Sequence, residues 1–388
     1  MTRVLSPRSA SGFTMIELLV ASSILLLIMV LTLQVTSNTN SIWQRTRSRI
    51  DTFQESRAAF EAMTRNLSQA MLNPYWDYVD AQDKPRDPAL SSFVPSQYVR
   101  QSELHFVSGP SQNLLAGVNG SNGQSLTSAT HGVFFQAPLG ISASSASSLP
   151  ATTELPNLLN VSGYFLEFGD DAKFRPLFLS NGEHSPLRNR FRLMEVAQPS
   201  ESLGVYQWIS QANKAAKLDP TMLRRWFVNP LNEDATATSS GSATGARRVK
   251  RALAENIIAL VILPKRATND GANAVELAPD YNYDSRLYQT APAQAVAKLT
   301  RNQLPPLVQV TMVAIDEASA ARLEGLGAAA KTPPDFGLTD LFKTSRKGVQ
   351  LAQDLATLEK TLNDDKHRAT YRVFSTDVSI LQAKWSEN

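Results

Sequence analysis

The chain has 388 residues, 43% hydrophobic and 19% charged, with a net charge of +3. So balanced a charge gives no electrostatic footprint for nucleic acid, and the absence of cysteine rules out disulfides, thiolate metal sites and a cysteine nucleophile. The length can bury a sizeable core, and only one stretch is long and apolar enough to span a membrane.

That stretch opens the chain. Residues 1–12, MTRVLSPRSASG, carry Arg3 and Arg8 without an acid and end in the small residues Ser9, Ala10, Ser11 and Gly12. The 21 apolar residues from Phe13 to Leu33 follow, enough as a helix to cross a hydrocarbon core of about 30 Å. One carboxylate, Glu17, lies inside the run. At the centre of a membrane helix an acid costs roughly 2.5–3.5 kcal/mol by insertion scales, so a retained one usually has a partner and a task. A secretory signal puts its apolar region before the cut, whereas a cut at Gly12-Phe13 keeps the anchor. The cut also frees an ammonium at Phe13, on the helix face of Glu17 four residues later. Leader arginines predict a cytoplasmic N-terminus, with the rest of the chain beyond a single membrane pass. Arg45, Arg47 and Arg49 beyond the span weaken that asymmetry.

Gly12, then Phe13-Thr14-Met15-Ile16-Glu17-Leu18, then an apolar helix resembles the type III signal of type IV prepilins and type II secretion pseudopilins. The resemblance implies that a membrane-embedded prepilin peptidase cuts after Gly12 and methylates the new amine of Phe13. Glu17, paired with that amine, is expected to serve assembly with other pilin-like subunits, and the resemblance implies an inner-membrane assembly platform, surrounding membrane lipid and a head in the periplasm or, in a filament, at the cell surface.

Beyond Leu33 no proline or glycine occurs before Asn73, so the helix is expected to continue as a stem over residues 34–73. Gln34 to Ser41 is polar and β-branched and is the place where it is expected to yield. Ile50, Phe53, Phe60, Met63, Leu67 and Met71 then recur at helical spacing, a stripe read as buried under the protein's own sheet rather than as a coiled-coil seam. Asn73-Pro74 ends the stem. Residues 74–388 are read as the head. Its expected strands are Glu103 to Ser108, Gly132 to Ala137, Ser162 to Phe168, Phe191 to Ala197, Asn256 to Leu263, Leu307 to Ile315 and Tyr371 to Lys384. Helical patterns lie at Glu201 to Gln211, Thr221 to Val228 and Leu338 to Leu362. Flexible loops are expected near 109–130, 142–153 and 232–246. The fold class is α+β, a long N-terminal helix packed on an antiparallel head.

Leu253 to Val261 and Leu304 to Met312 look similar to paired strands of J-type minor pseudopilins. With Tyr281 to Arg286, Ala314 to Glu317 and Arg372 to Trp385, the chain resembles the Verru_Chthon cassette protein C family, whose members are prepilin-type proteins without established chemistry.

Signals of chemistry are poor. Asp280, Asn282 and Asp284 have the spacing that begins a calcium loop, but Ser285 stands where a glycine belongs and Ala291 where a bidentate glutamate belongs. His105, His131, His184 and His367 make no short zinc spacing, no G-x-S-x-G occurs, and Gly117 to Gly123 lacks the lysine of a phosphate loop. The reading is a non-catalytic minor pilin-like subunit that needs no cofactor. The alternative is a membrane-tethered binding or adhesive module that does not polymerise. A size of 388 residues favours a minor subunit, since bulky heads pack poorly along a continuous helical array.

Overall fold

The computed structural model describes residues 14–86, 92–120, 125–142, 157–179, 186–214, 219–236, 249–266, 276–326 and 332–386. The chain forms two compact units, Met1–Asp51 and Thr52–Asn388.

Helix α1 spans Met15–Ser68 and contributes to both. It does not yield between Gln34 and Ser41. The hydroxyls there turn back onto the helix, Thr32 Oγ1 donating to the Met29 carbonyl at 2.9 Å and Thr36 Oγ1 to the Thr32 carbonyl at 2.8 Å. Polar side chains thereby satisfy themselves locally without breaking the backbone ladder.

In the second unit, β1 (Tyr75–Val79) and β2 (Gln97–Gln101) form an antiparallel pair. Then come β3 (Val107–Pro110), β4 (His131–Pro138), β5 (Leu159–Gly169), β6 (Arg190–Gln198), β7 (Lys250–Glu255), β8 (Ile257–Lys265), β9 (Tyr283–Asp284), β10 (Leu307–Ile315) and β11 (Tyr371–Ser379). Two antiparallel sheets result, β7-β6-β5-β4-β3-β9 and β11-β10-β8. The longer helices of this unit are α2 (Val205–Lys214), α3 (Arg225–Thr236), α4 (Glu317–Leu326) and α5 (Val349–Asn363).

In the three-stranded sheet β8 and β10 are buried on both faces, while the edge strand β11 is largely exposed. Leu260 and Ile262 of β8 point into a core shared with the six-stranded sheet and with Phe60, Met63 and Leu67 of the stem. The alternate residues Val261 and Leu263 point into a second core closed by Leu351, Leu358 and Leu362 of α5. The stem stripe thus covers strands, as the α+β reading expected. Asn66 Nδ2 donates to the Tyr164 hydroxyl at 2.9 Å, and that hydroxyl donates to Glu195 Oε1 at 3.0 Å. Ile50 of the stripe lies in the first unit and is exposed.

One residue passes the chain between sheets. Asn256, at φ +63°, donates its backbone N–H to the Phe191 carbonyl of β6 at 2.8 Å and accepts from the Ile315 N–H of β10 at 3.0 Å. Asparagine tolerates this left-handed conformation better than most residues. The free edge of β8 is closed by side chains: Leu260 N–H donates to Thr130 Oγ1 at 2.9 Å and Ile262 N–H to His131 Nδ1 at 3.1 Å. Such capping protects an edge that would otherwise template another strand.

Several boundaries differ from the sequence reading. The strand expected at Glu103 begins at Val107, and the last strand stops at Ser379, after which the chain becomes a strap. Leu381 N–H in that strap donates to the Ser68 carbonyl and Ser386 N–H to Gln303 Oε1. The helix expected from Leu338 begins at Val349, after Gly348 at φ +81°. Strands β1, β2, β7 and β9 and helix α4 had no counterpart among the expected elements. Within 109–130, Leu114, Leu115 and Val118 are buried in the main core. Residues 143–153 and 237–246 lie outside the described residues.

Candidate functional site

The site begins at Thr14. Its carbonyl accepts the first helical hydrogen bond, from Leu18 N–H at 3.2 Å, which makes it the residue that caps α1. Three residues on, one Glu17 carboxylate oxygen accepts from the Thr14 backbone N–H at 2.9 Å and from its hydroxyl at 3.0 Å. Thr14 Oγ1 in turn lies 3.3 Å from the Glu17 N–H that donates to it. This reciprocal pattern is a capping box, and the positive end of the helix dipole adds to the attraction for the anion. The T-x-x-E spacing from Thr14 to Glu17 is the sequence signal of this box, independent of any pairing of Glu17 with a Phe13 ammonium. Phe13 and Gly12 themselves lie outside the described residues.

From Met15 to Asn40 the helix is long and apolar enough to cross a membrane, and among the described residues its apolar window is unburied. Leu18, Leu25, Leu26 and Leu27 are all more than 60% exposed. In water such a face would be strongly unfavourable, each large apolar side chain forgoing about 1.5–3 kcal/mol of burial, so lipid or other helices must cover it.

Residues 7–33 match the prokaryotic N-terminal methylation motif. The match contains Gly12, Phe13 and Glu17, and it is the signal carried by type IV pilin-like precursors. Such a motif implies processing by a prepilin peptidase and assembly with other pilins. With the exposed apolar helix it points to membrane anchoring and to a structural rather than catalytic subunit. Comparison with curated proteins and with solved structures gives no match.

The calcium-type spacing has another use. Asp284 Oδ1 lies 2.7 Å from His105 Nε2 and accepts from the Arg286 N–H at 2.7 Å. Desolvation works to raise the Asp284 pKa, but His105 and the Arg286 contacts outweigh it and hold the carboxyl below its ordinary value. Asp280 and Asn282 are exposed, and among the described residues no group of three histidine, aspartate or glutamate side chains converges on a metal position.

The histidines are structural contacts. His105 is buried, with the Trp226 indole donating to Nδ1 at 3.1 Å. His131 accepts from Ile262 at Nδ1 and donates from Nε2 to the Phe342 carbonyl at 3.0 Å. Burial pulls its pKa down to about 4, so the ring is neutral near pH 7. The His367 ring lies 5.4 Å from that of Phe336, tilted by 48°, and His184 lies outside the described residues.

Proposed function

We propose that the chain is a minor pilin-like subunit of the pseudopilin type, cut between Gly12 and Phe13 and methylated at Phe13. It assembles through its N-terminal helix into a type IV pilus-like or type II secretion-like membrane complex. The observation that carries this reading is the methylation motif at residues 7–33, which runs into an apolar helix left unburied among the described residues. Helix-to-helix association supplies the missing cover, and Glu17 supplies the one charge that a neighbouring ammonium can meet in low dielectric. The capping box fits this role. The proposed cut leaves the Thr14 N–H in place, so the carboxylate keeps its local donors while it faces a new positive charge.

In this reading the head is periplasmic, and the subunit is of the kind that the resemblance to Verru_Chthon cassette protein C and to J-type minor pseudopilins implies. The test is crosslinking in cells from a photoreactive residue at Leu26, with identification of what is captured. Other chains bearing the same signal are the expected catch. Capture of lipid alone, at normal expression, would favour a tethered module that does not polymerise.

A further inference from the structure

A cavity of about 780 Å³ opens between β1, residues 80–86 and 92–96 of the connection that follows it, and α2. That size falls within the range of small-ligand sites. Its lining includes Asp80 and Glu103 against Lys84 and Arg86, two charges of each sign, so its field selects no ion. Asp80 is further committed to its own turn, accepting from Gln82 N–H at 2.8 Å and from Lys84 N–H at 2.9 Å.

What remains is an oriented donor and an oriented acceptor on the same lining. Asn213 Oδ1 receives Gln289 Nε2 at 2.8 Å and an Arg286 guanidinium nitrogen at 3.4 Å, which orients the amide and leaves Nδ2 to donate elsewhere. The Tyr75 hydroxyl donates to one oxygen of Glu103, leaving the second to accept. Burial and that bond push the Tyr75 pKa up, so the hydroxyl stays a donor. Among the described residues, neither Asn213 Nδ2 nor the second Glu103 oxygen has a protein partner. Arg286 holds the two walls in register: it is buried, and its guanidinium also donates to the carbonyl of Ser102, next to Glu103.

A sugar matches this lining. Each hydroxyl both donates and accepts, so the hydroxyls of one sugar chain can satisfy Asn213 and Glu103, while the apolar face of a ring meets Phe93 and the Tyr75 ring. A peptide matches less well, because extended peptides add to open strand edges. Here the local main chain bonds to itself, Asp80 N–H to the Lys84 carbonyl at 3.0 Å and Ser96 N–H to the Val79 carbonyl at 2.8 Å. We propose that this cavity binds a neutral carbohydrate, held by Glu103 and Asn213 and stacked on Tyr75, with Arg286 as the positioning residue. The proposal is independent of whether the chain polymerises.

The test uses the full-length protein in lipid nanodiscs, free of sugar-headed detergent, with maltotriose, cellotriose and chitotriose as probes. Saturation-transfer NMR and titration calorimetry should show saturable binding of at least one. Asn213→Ala should weaken it at least roughly tenfold, about 1.4 kcal/mol. Ser210→Trp, at an exposed lining position, should fill the cavity and abolish binding with an unchanged melting temperature. Tyr98→Ala, on the opposite face of the β1–β2 pair from Tyr75, should leave affinity unchanged. Three silent probes would overturn the proposal, as would binding that survives Ser210→Trp. A random hexapeptide pool that binds in place of the sugars and is lost with Ser210→Trp would assign the cavity to a peptide and overturn it equally.

Discussion

The Glu17 carboxylate accepts two hydrogen bonds from Thr14, at 2.9 Å from its backbone N–H and 3.0 Å from its hydroxyl. The only acid of the apolar run is therefore held in place within its own helix end before any partner arrives. Its loss should have opposite effects on insertion and assembly. Glu17→Val removes the group that is costly in lipid, so membrane level should hold or rise and the protease resistance of the head should not change. Crosslinking to other pilin-like chains should fall roughly tenfold, equivalent to about 1.4 kcal/mol of lost association. Undiminished crosslinking at equal expression would remove Glu17 from the assembly step.

The stem should be part of the head's core. Met63 and Leu67 are fully buried among the strands, so Met63→Ala or Leu67→Ala should each destabilise the head by about 2–5 kcal/mol. A chain starting at Ile42 should melt well above one starting at Asn73. Equal melting temperatures would show that the stripe contributes nothing.

Gly163 sets how closely β4 and β5 approach. A Cβ there would fall 2.3 Å from Cδ1 of Phe134, whose ring is pinned by Phe227 at a centroid distance of 4.1 Å. Gly163→Ala should therefore overpack the core and lower stability by about 1–3 kcal/mol in denaturant unfolding. A neutral result would mean that the Phe134 ring can move aside.

His131 predicts a pH dependence. Its pKa falls from the ordinary 6.5 to about 4 on folding, so the unfolded chain binds the extra proton first. The neutral ring's contribution is complete above pH 6.5 and is lost progressively as pH falls towards 4. At pH 5 the loss is roughly 2 kcal/mol, from 1.5 units at 1.36 kcal/mol each. His131→Gln should flatten the fall in melting temperature between pH 7 and pH 5. An unchanged slope would show that His131 is not the group responsible.

Much of this was legible because the signals are local. Leu307 to Ile315 reads as a strand with the same bounds it has in the fold, since β-branched residues run through it up to the acid that follows. The helix and its stripe follow from spacing alone. The elements that were missed depend on distant partners. Tyr75–Val79 pairs with Gln97–Gln101 across a long connection, and neither segment alternates cleanly. Lys250–Glu255 looks like the polar approach to the next strand, and only the turn at Asn256 reveals that the two belong to different sheets. At the candidate site the capping box was readable from Thr14 and Glu17. The cavity was not, because Glu103, Asn213 and Arg286 are far apart in sequence and are brought together only by the fold.

The central claim is that this chain is matured at Gly12-Phe13 as a pilin-like subunit. Intact-mass analysis of the protein from cells with an active prepilin peptidase tests it directly, beside the same protein from cells lacking the enzyme. Maturation at this bond should give a chain short of residues 1–12 with one added methyl group on Phe13 in the first sample, and an uncut chain in the second. A full-length precursor beginning at Met1 in both would contradict it.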